Sequence, residues 1–211
     1  MNIALIGATG FIGSAILTEA LNRGHRVTAV VRNIEKLPQH VNLTAKAADV
    51  TDEAQAAALF AGQEAVVSSF APRGEADQYA GFLDSYRTII SAVKQAGVKR
   101  LLVVGGAGSL EVNGVQVVDG GGIPEEWKSG VLGLREVLYT LRKETDLDWT
   151  FLSPSAVIEP GERTGKFRLG RDDLLVAEDG KSHISVADYA VAMIDELEKP
   201  AHSRQRFTVG Y

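Results

Sequence analysis

Along this chain, apolar residues fall in short unbroken runs separated by stretches in which they recur every three to five positions. Residues 3–6 form such a run, closed by Gly7, and apolar side chains return at Phe11, Ala15, Ile16 and Ala20, the spacing of one helix face. The pattern predicts a strand, a turn and a helix. Gly24 ends that helix, because a residue without a β-carbon can take the left-handed backbone conformation, and the β-branched run Arg26–Val31 predicts the second strand. Leu43–Ala47 predicts the third. Thr51, with Asp52 and Glu53, caps an alanine-rich helix that stops before Gly62. Residues 65–69, 101–104 and 149–152 predict strands four to six, and residues 78–96 and 126–143 predict the helices between them.

Short apolar strands alternating with helices predict an α/β fold: a doubly wound, mainly parallel sheet with helices on both faces, where right-handed crossovers place them. A cofactor core over residues 1–153 and a small C-terminal substrate-side region over residues 154–211 would share this single domain. In the second part, Ser185 and Asp188 resemble a capping box, and Ala190, Met193, Ile194 and Leu197 form the buried stripe of a helix that Pro200 stops. Residues 154–181 show no helical period and predict short strands or a hairpin. Residues 206–209 predict the last strand. The glycine-rich residues 105–122 read as a mobile loop or an inert connector.

The length of 211 residues suits one sizeable core rather than two independent ones. With 22 Lys and Arg against 27 Asp and Glu, the formal charge is −5, so no basic field exists to attract a phosphate backbone, and nucleic acid is excluded as the main partner. The absence of cysteine removes disulfides, thiolate metal sites and a thiol nucleophile together, and the four histidines lack ligand spacing, so no metal is expected. The apolar N-terminus has no basic leader, and no run approaches the roughly 20 apolar residues of a membrane helix. A soluble cytoplasmic protein with a small-molecule substrate is expected, as a monomer or homodimer.

The first turn, Gly7-Ala8-Thr9-Gly10-Phe11-Ile12-Gly13, lies between a strand and a helix. There Gly7 permits a tight turn, Gly10 lets a pyrophosphate approach the backbone, and Gly13 allows close packing of the helix. The free amides of the helix start would hold the phosphates. At the end of the second strand, where NAD-specific folds place an acid for the ribose hydroxyl, this chain has Arg32, with Lys36 as a weaker second cation. NADP(H) is therefore expected over NAD(H), unless Arg32 is solvated or stacks on adenine without discriminating. Asp49 either accepts from the adenine amino group or flanks the next helix. Val50, Ser69 and Phe70, Gly105 and Gly106, and Pro154 complete the expected cofactor contacts at the strand ends.

GATGFIG, the VVRN that ends the second strand, ADVTD and VVGGAGSL together resemble the atypical short-chain dehydrogenase/reductase family. The likeness is to its small NAD(P)-binding members known as NADH-flavin reductases, related to NmrA-like proteins and biliverdin reductase B. It implies a Rossmann-type core, a nicotinamide cofactor, and FMN or FAD among possible substrates. The wider family uses a tyrosine and a lysine four residues later, at the start of the helix after strand five. Here Tyr139 and Lys143 have that spacing but lie near the helix end, roughly 17 Å along the axis from Trp127 and Lys128, which occupy the family position.

An alkoxide-forming reduction needs such an acid, whereas a flavin or conjugated tetrapyrrole delocalises the added charge and mainly needs alignment. Ser109, after strand five, is the catalytic candidate, as a hydrogen bond to the acceptor carbonyl or as a loop serine satisfying backbone groups. Trp127 either lines the pocket or anchors its helix. Tyr79 and Tyr86 are expected to pack. Arg163, Lys166 and Arg168 either meet a flavin phosphate or form a solvated face. Two functions remain: an NADPH-dependent reductase of a flavin or similar conjugated molecule, and a nonenzymatic dinucleotide sensor of the NmrA-like type. Arg32→Asp should weaken NADP(H) by roughly 10- to 150-fold more than NAD(H); equal losses by calorimetry would remove the specificity argument.

Overall fold

The computed structural model describes residues 1–72 and 77–211. Its elements run β1 (Asn2–Ile6), α1 (Phe11–Asn22), β2 (Arg26–Val31), β3 (Leu43–Ala47), α2 (Glu53–Phe60), β4 (Ala65–Ser68), α3 (Gln78–Gln95) and β5 (Arg100–Val104). There follow β6 (Glu111–Val112), β7 (Val115–Gln116), α4 (Glu125–Arg142), β8 (Asp148–Ser153), β9 (Val157–Glu159), β10 (Arg168–Gly170), β11 (His183–Ser185), α5 (Val186–Glu198) and β12 (Gln205–Gly210).

Eight strands form one sheet in the order β10-β12-β8-β5-β4-β1-β2-β3, parallel except where β10 joins β12. The chain starts in the middle, winds out to β3, and returns to lay β4 on the other side of β1. That reversal opens a crevice outside the carboxyl ends of the strands, where doubly wound folds bind ligands.

The apolar runs of the central strands are buried on both faces. Ile3 and Leu5 pack with Ile16, Leu17, Met193 and Leu197 beneath α1 and α5, while Ala4 and Ile6 pack with Phe60, Tyr86, Ile89 and Leu138 beneath α2, α3 and α4. The two-residue alternation of a strand thus supplies both cores. The edge strand β3 is exposed over most of its length.

Local chemistry departs from expectation in three places. The cap of α2 is Asp52, which accepts from the Gln55 amide, rather than Thr51. Ser185 caps α5 by accepting from the Asp188 amide, but the box is not reciprocal: the Asp188 carboxylate is taken by Thr164, Gly165 and Tyr211, and the Ser185 amide turns to the Tyr211 hydroxyl. Residues 105–122 are more ordered than a connector. They contain a 3-10 turn at Ala107–Ser109 and the β6–β7 hairpin, whose Asn113 and Gly114 have the positive φ of a tight hairpin turn. Leu110 and Val118 are buried, and Arg135 of α4 clasps Gln116 and Asp119.

A buried ionic cluster joins β5, β8 and α5. Arg100 reaches Glu196 Oε1 and Thr150 Oγ1, each at 2.8 Å, and Glu196 also accepts from the His202 ring at 2.8 Å. Burial alone would raise the Glu196 pKa, but the His202 ring, the amides of His202 and Ala201, and the Arg100 charge hold it below the usual glutamate range. Glu196→Ala should cost about 3–5 kcal/mol in urea unfolding, because it takes from buried Arg100 its one buried carboxylate among the described residues and leaves it only the half-exposed Asp148 at 3.2 Å. With a depressed folded pKa, the stability Glu196 contributes is complete above its unfolded value of about 4.3 and is lost as pH falls through the lower folded value. Glu196→Gln should therefore flatten the acid limb of a Tm series; an unchanged limb would assign that limb to other carboxylates.

Candidate functional site

The site begins where β1 gives way to α1. Gly7 has φ +78°, which an L side chain rarely adopts, and a β-carbon there would lie 2.4 Å from the Ser69 carbonyl oxygen. A β-carbon on Gly13 would lie 2.1 Å from the Gly7 carbonyl oxygen. Both positions must be bare for the turn to fit between α1 and the end of β4. The Gly10 amide closes the turn on the Gly7 carbonyl at 2.9 Å.

From this turn α1 starts on an extended Gly10, with no side-chain cap and no acid in its first turn. The amides of Phe11, Ile12 and Gly13 find no acceptor among the described residues. Unpaired N–H groups and the positive end of the helix dipole together favour an anion such as a diphosphate.

A groove of about 310 Å³ leads away from the turn. Gly7, Thr9 and Gly10 line one end, Arg32, Asn33 and Lys36 its β2 side, Asp49, Val50 and Thr51 its far wall, and Ser69 and Phe70 the end of β4. Asn33 caps the 3-10 turn Ile34–Lys36 that carries Lys36. Asp49 Oδ1 accepts from the Thr51 amide at 3.0 Å and from its hydroxyl at 2.7 Å, while the Asp49 amide donates to Gln55. Those two bonds from Thr51, with the Arg32 charge, keep the Asp49 carboxyl below the usual aspartate range against a smaller opposing effect of burial. It is an ionised acceptor at neutral pH, and Thr51 is the support that sequence reading had not assigned. The groove's shape, bare turn and free amides fit an extended dinucleotide.

A second cavity of about 280 Å³ lies over the end of β5, between the loop Gly106 to Ser109, Phe82 of α3, and Trp127, Gly130, Val131 and Leu134 of α4. Of the expected residues, Gly106 and Ser109 line this cavity. Gly105 is wedged instead under Phe151, whose ring would be 2.3 Å from a β-carbon there. Phe11, Ile12, Gly13 and Pro154 line neither space. Phe11 is exposed beside the free amides, and Pro154 is buried at the end of β8.

Ser109 is only 3% exposed, and its carbonyl accepts from both terminal nitrogens of Arg206 at 3.3 Å. Arg206 is in turn held by Asp172. This support for the loop was not legible beforehand, because the partners are 97 residues apart in the chain. Trp127 does not anchor its helix: among the described residues it is 63% exposed. Tyr86 is buried as expected and bonds Ser68, and burial pushes its hydroxyl pKa far up, whereas Tyr79 is partly exposed. The Tyr139 hydroxyl is bound to Gln116, with Arg135 and Arg142 each 5.9 Å from its ring centre. Arg163 lies on the exposed face, and its guanidinium is paired twice with Glu19 at 2.7 Å.

The sequence pattern of a family described as NAD(P)H-binding matches residues 7–197. The uncharacterized protein YwnB of Bacillus subtilis is 41% identical over 99% of this chain and 98% of its own. Among solved structures, a proposed epimerase from Bacteroides thetaiotaomicron is 50% identical with a TM-score of 0.94, covering 100% of this chain and 96% of its own. A proposed NADH-flavin reductase from Streptococcus pneumoniae is 33% identical with a TM-score of 0.86, over 100% and 99%.

Gly13→Val should push the Gly7 carbonyl away and scatter the free amides, weakening dinucleotide uptake at least ~100-fold, as expected for losing two charge-assisted hydrogen bonds. Calorimetry on material with an unchanged circular dichroism spectrum checks this; retained affinity would place the diphosphate elsewhere.

Proposed function

Because the chain belongs to the NAD(P)H-binding family, we propose that it is an oxidoreductase that prefers NADPH to NADH and reduces a flavin or similar conjugated small molecule without a tyrosine–lysine pair. The observation that carries this reading is the engagement of Tyr139 with Gln116 near the end of α4, away from the lining of both cavities. The Streptococcus relative's description as a proposed NADH-flavin reductase supports the same direction. A sugar epimerase of the usual kind would need that tyrosine too.

In this reading the amides of Phe11, Ile12 and Gly13 hold the diphosphate, Asp49 accepts from the adenine amino group, and Arg32 with Lys36 meets the ribose 2′-phosphate. Ser69, Phe70, Gly105, Gly106 and Pro154 lie at the strand ends that would carry the nicotinamide half. When bound, NADPH supplies a hydride, two electrons and one proton, leaving as NADP⁺, and the acceptor takes one further proton from water. Ser109 is the polar group of the loop after β5 that would orient an acceptor carbonyl, and Arg206 and Asp172 keep that loop in place. Tyr86 stays protonated and bound to Ser68, so it serves as packing rather than as a base. Such a reaction relies on alignment of donor and acceptor more than on proton transfer.

Reduction of riboflavin, FMN, FAD, biliverdin or a quinone, followed by loss of NADPH absorbance, should reach about 1 per second with at least one acceptor. Tight NADPH binding with no turnover on any of them would favour the dinucleotide sensor instead. Tyr139→Phe should leave turnover within about threefold, under roughly 1 kcal/mol of barrier; a hundredfold drop would restore the tyrosine to the chemistry.

A further inference from the structure

The second cavity adjoins the cofactor groove without being part of it. β4 and β5 are paired neighbours, so the segments that follow them, Ser69 and Phe70 on one side and Gly106 to Ser109 on the other, lie next to each other. Three aromatic rings connect the two spaces: Phe70 lines the groove, Phe82 lines the cavity, and Tyr86 stands between them at 6.3 and 6.4 Å.

Phe82, Val131 and Leu134 give the cavity an apolar lining. Gly108 and Gly130 are buried, and a β-carbon would meet Val131 Cγ1 at 2.1 Å from the first and Gln78 Oε1 at 2.5 Å from the second. The rim has a different character. Gln78, Glu126 and Trp127 are exposed there, and a half-open indole at the edge of an apolar slot offers a ring face to a flat ligand.

Among the described residues, the charge around this rim is negative. Arg135 is neutralised by both oxygens of Asp119, at 3.1 and 2.9 Å, and Lys128 faces Glu125 at 3.5 Å. Asp77 caps α3. Glu126 has no cationic partner among the described residues. At about 280 Å³, the cavity stands just below the roughly 300–1,000 Å³ typical of ligand sites, enough for a ring system.

We infer that this cavity binds the acceptor of the reductase reading above, on which the inference rests, and that it selects a flat, uncharged conjugated ring against Trp127 while disfavouring acceptors that carry a phosphate. A tail leaving the slot passes the Glu126 carboxylate, and a phosphate there meets a like charge with no unpaired cation to offset it among the described residues. At the separations of a rim, that repulsion corresponds to about fivefold in affinity.

The test is to titrate the intact protein with riboflavin and with FMN, following flavin emission, and to measure NADPH oxidation with each in parallel. Riboflavin should bind at least about fivefold tighter than FMN, Glu126→Lys should abolish or invert that preference while leaving NADPH affinity unchanged, and Trp127→Ala should weaken both flavins by at least about fivefold. FMN binding as well as riboflavin, a ratio unmoved by Glu126→Lys, or no binding of either flavin would overturn the assignment. The two readings fail separately: riboflavin-selective binding without NADPH oxidation upholds the ring site and removes the reductase, whereas oxidation that favours FMN in both native and variant protein removes the ring site and keeps the reductase.

Discussion

A β-carbon on Gly13 would sit 2.1 Å from the Gly7 carbonyl oxygen, and one on Gly7 would sit 2.4 Å from the carbonyl oxygen of Ser69. Those two contacts draw β1, the start of α1 and the end of β4 to one point. The close approach leaves the first amides of α1 without an acceptor among the described residues, at the place where the winding of the sheet reverses. The groove between β2, β3 and β4 follows from this geometry, because no side chain of the turn fills the space above the strand ends. Sheet order and local backbone chemistry therefore converge on the same crevice, each making the other useful for holding an extended anion.

The other half of the site depends on contacts between distant parts of the chain. The loop after β5 is pinned from below by Arg206 of β12, which is held by Asp172, and from the side by α4, where Val131 and Leu134 press against Gly108 and Gly106. The C-terminal region thus does more than close the sheet: it supports the loop that carries Ser109. The same region ties itself down through buried Asp188, which accepts from Thr164, Gly165 and Tyr211, and through Arg163 on Glu19. These polar anchors add to the apolar packing that Ile158 and Phe167 supply against the core.

Tyr139 and Trp127 show how position within one helix separates two roles. Both lie on α4, yet Tyr139 near its end is enclosed by Gln116, Arg135 and Arg142, and Trp127 in its first turn faces the second cavity. A sequence spacing of four between tyrosine and lysine carries chemistry only where the helix delivers it to the cofactor. In this chain the opening of the helix delivers an indole and a carboxylate to that side instead.

The unbroken apolar runs and the glycines that bound them determined the order of strands and helices, because a strand buried on both faces and a helix buried on one have different periods that local sequence alone expresses. That the glycine turn, Arg32 and Asp49 line one groove was legible for the same reason: each sits at the end of a strand that the local pattern marks. What only the tertiary structure decided was which polar groups meet across the chain. Arg206 beneath Ser109, the Asp188 carboxylate turned from its own cap toward Tyr211, the hairpin inside residues 105–122, and the exposure of Trp127 all arise from packing between elements far apart in sequence, and no periodicity records which partner a side chain will find when the sheet closes.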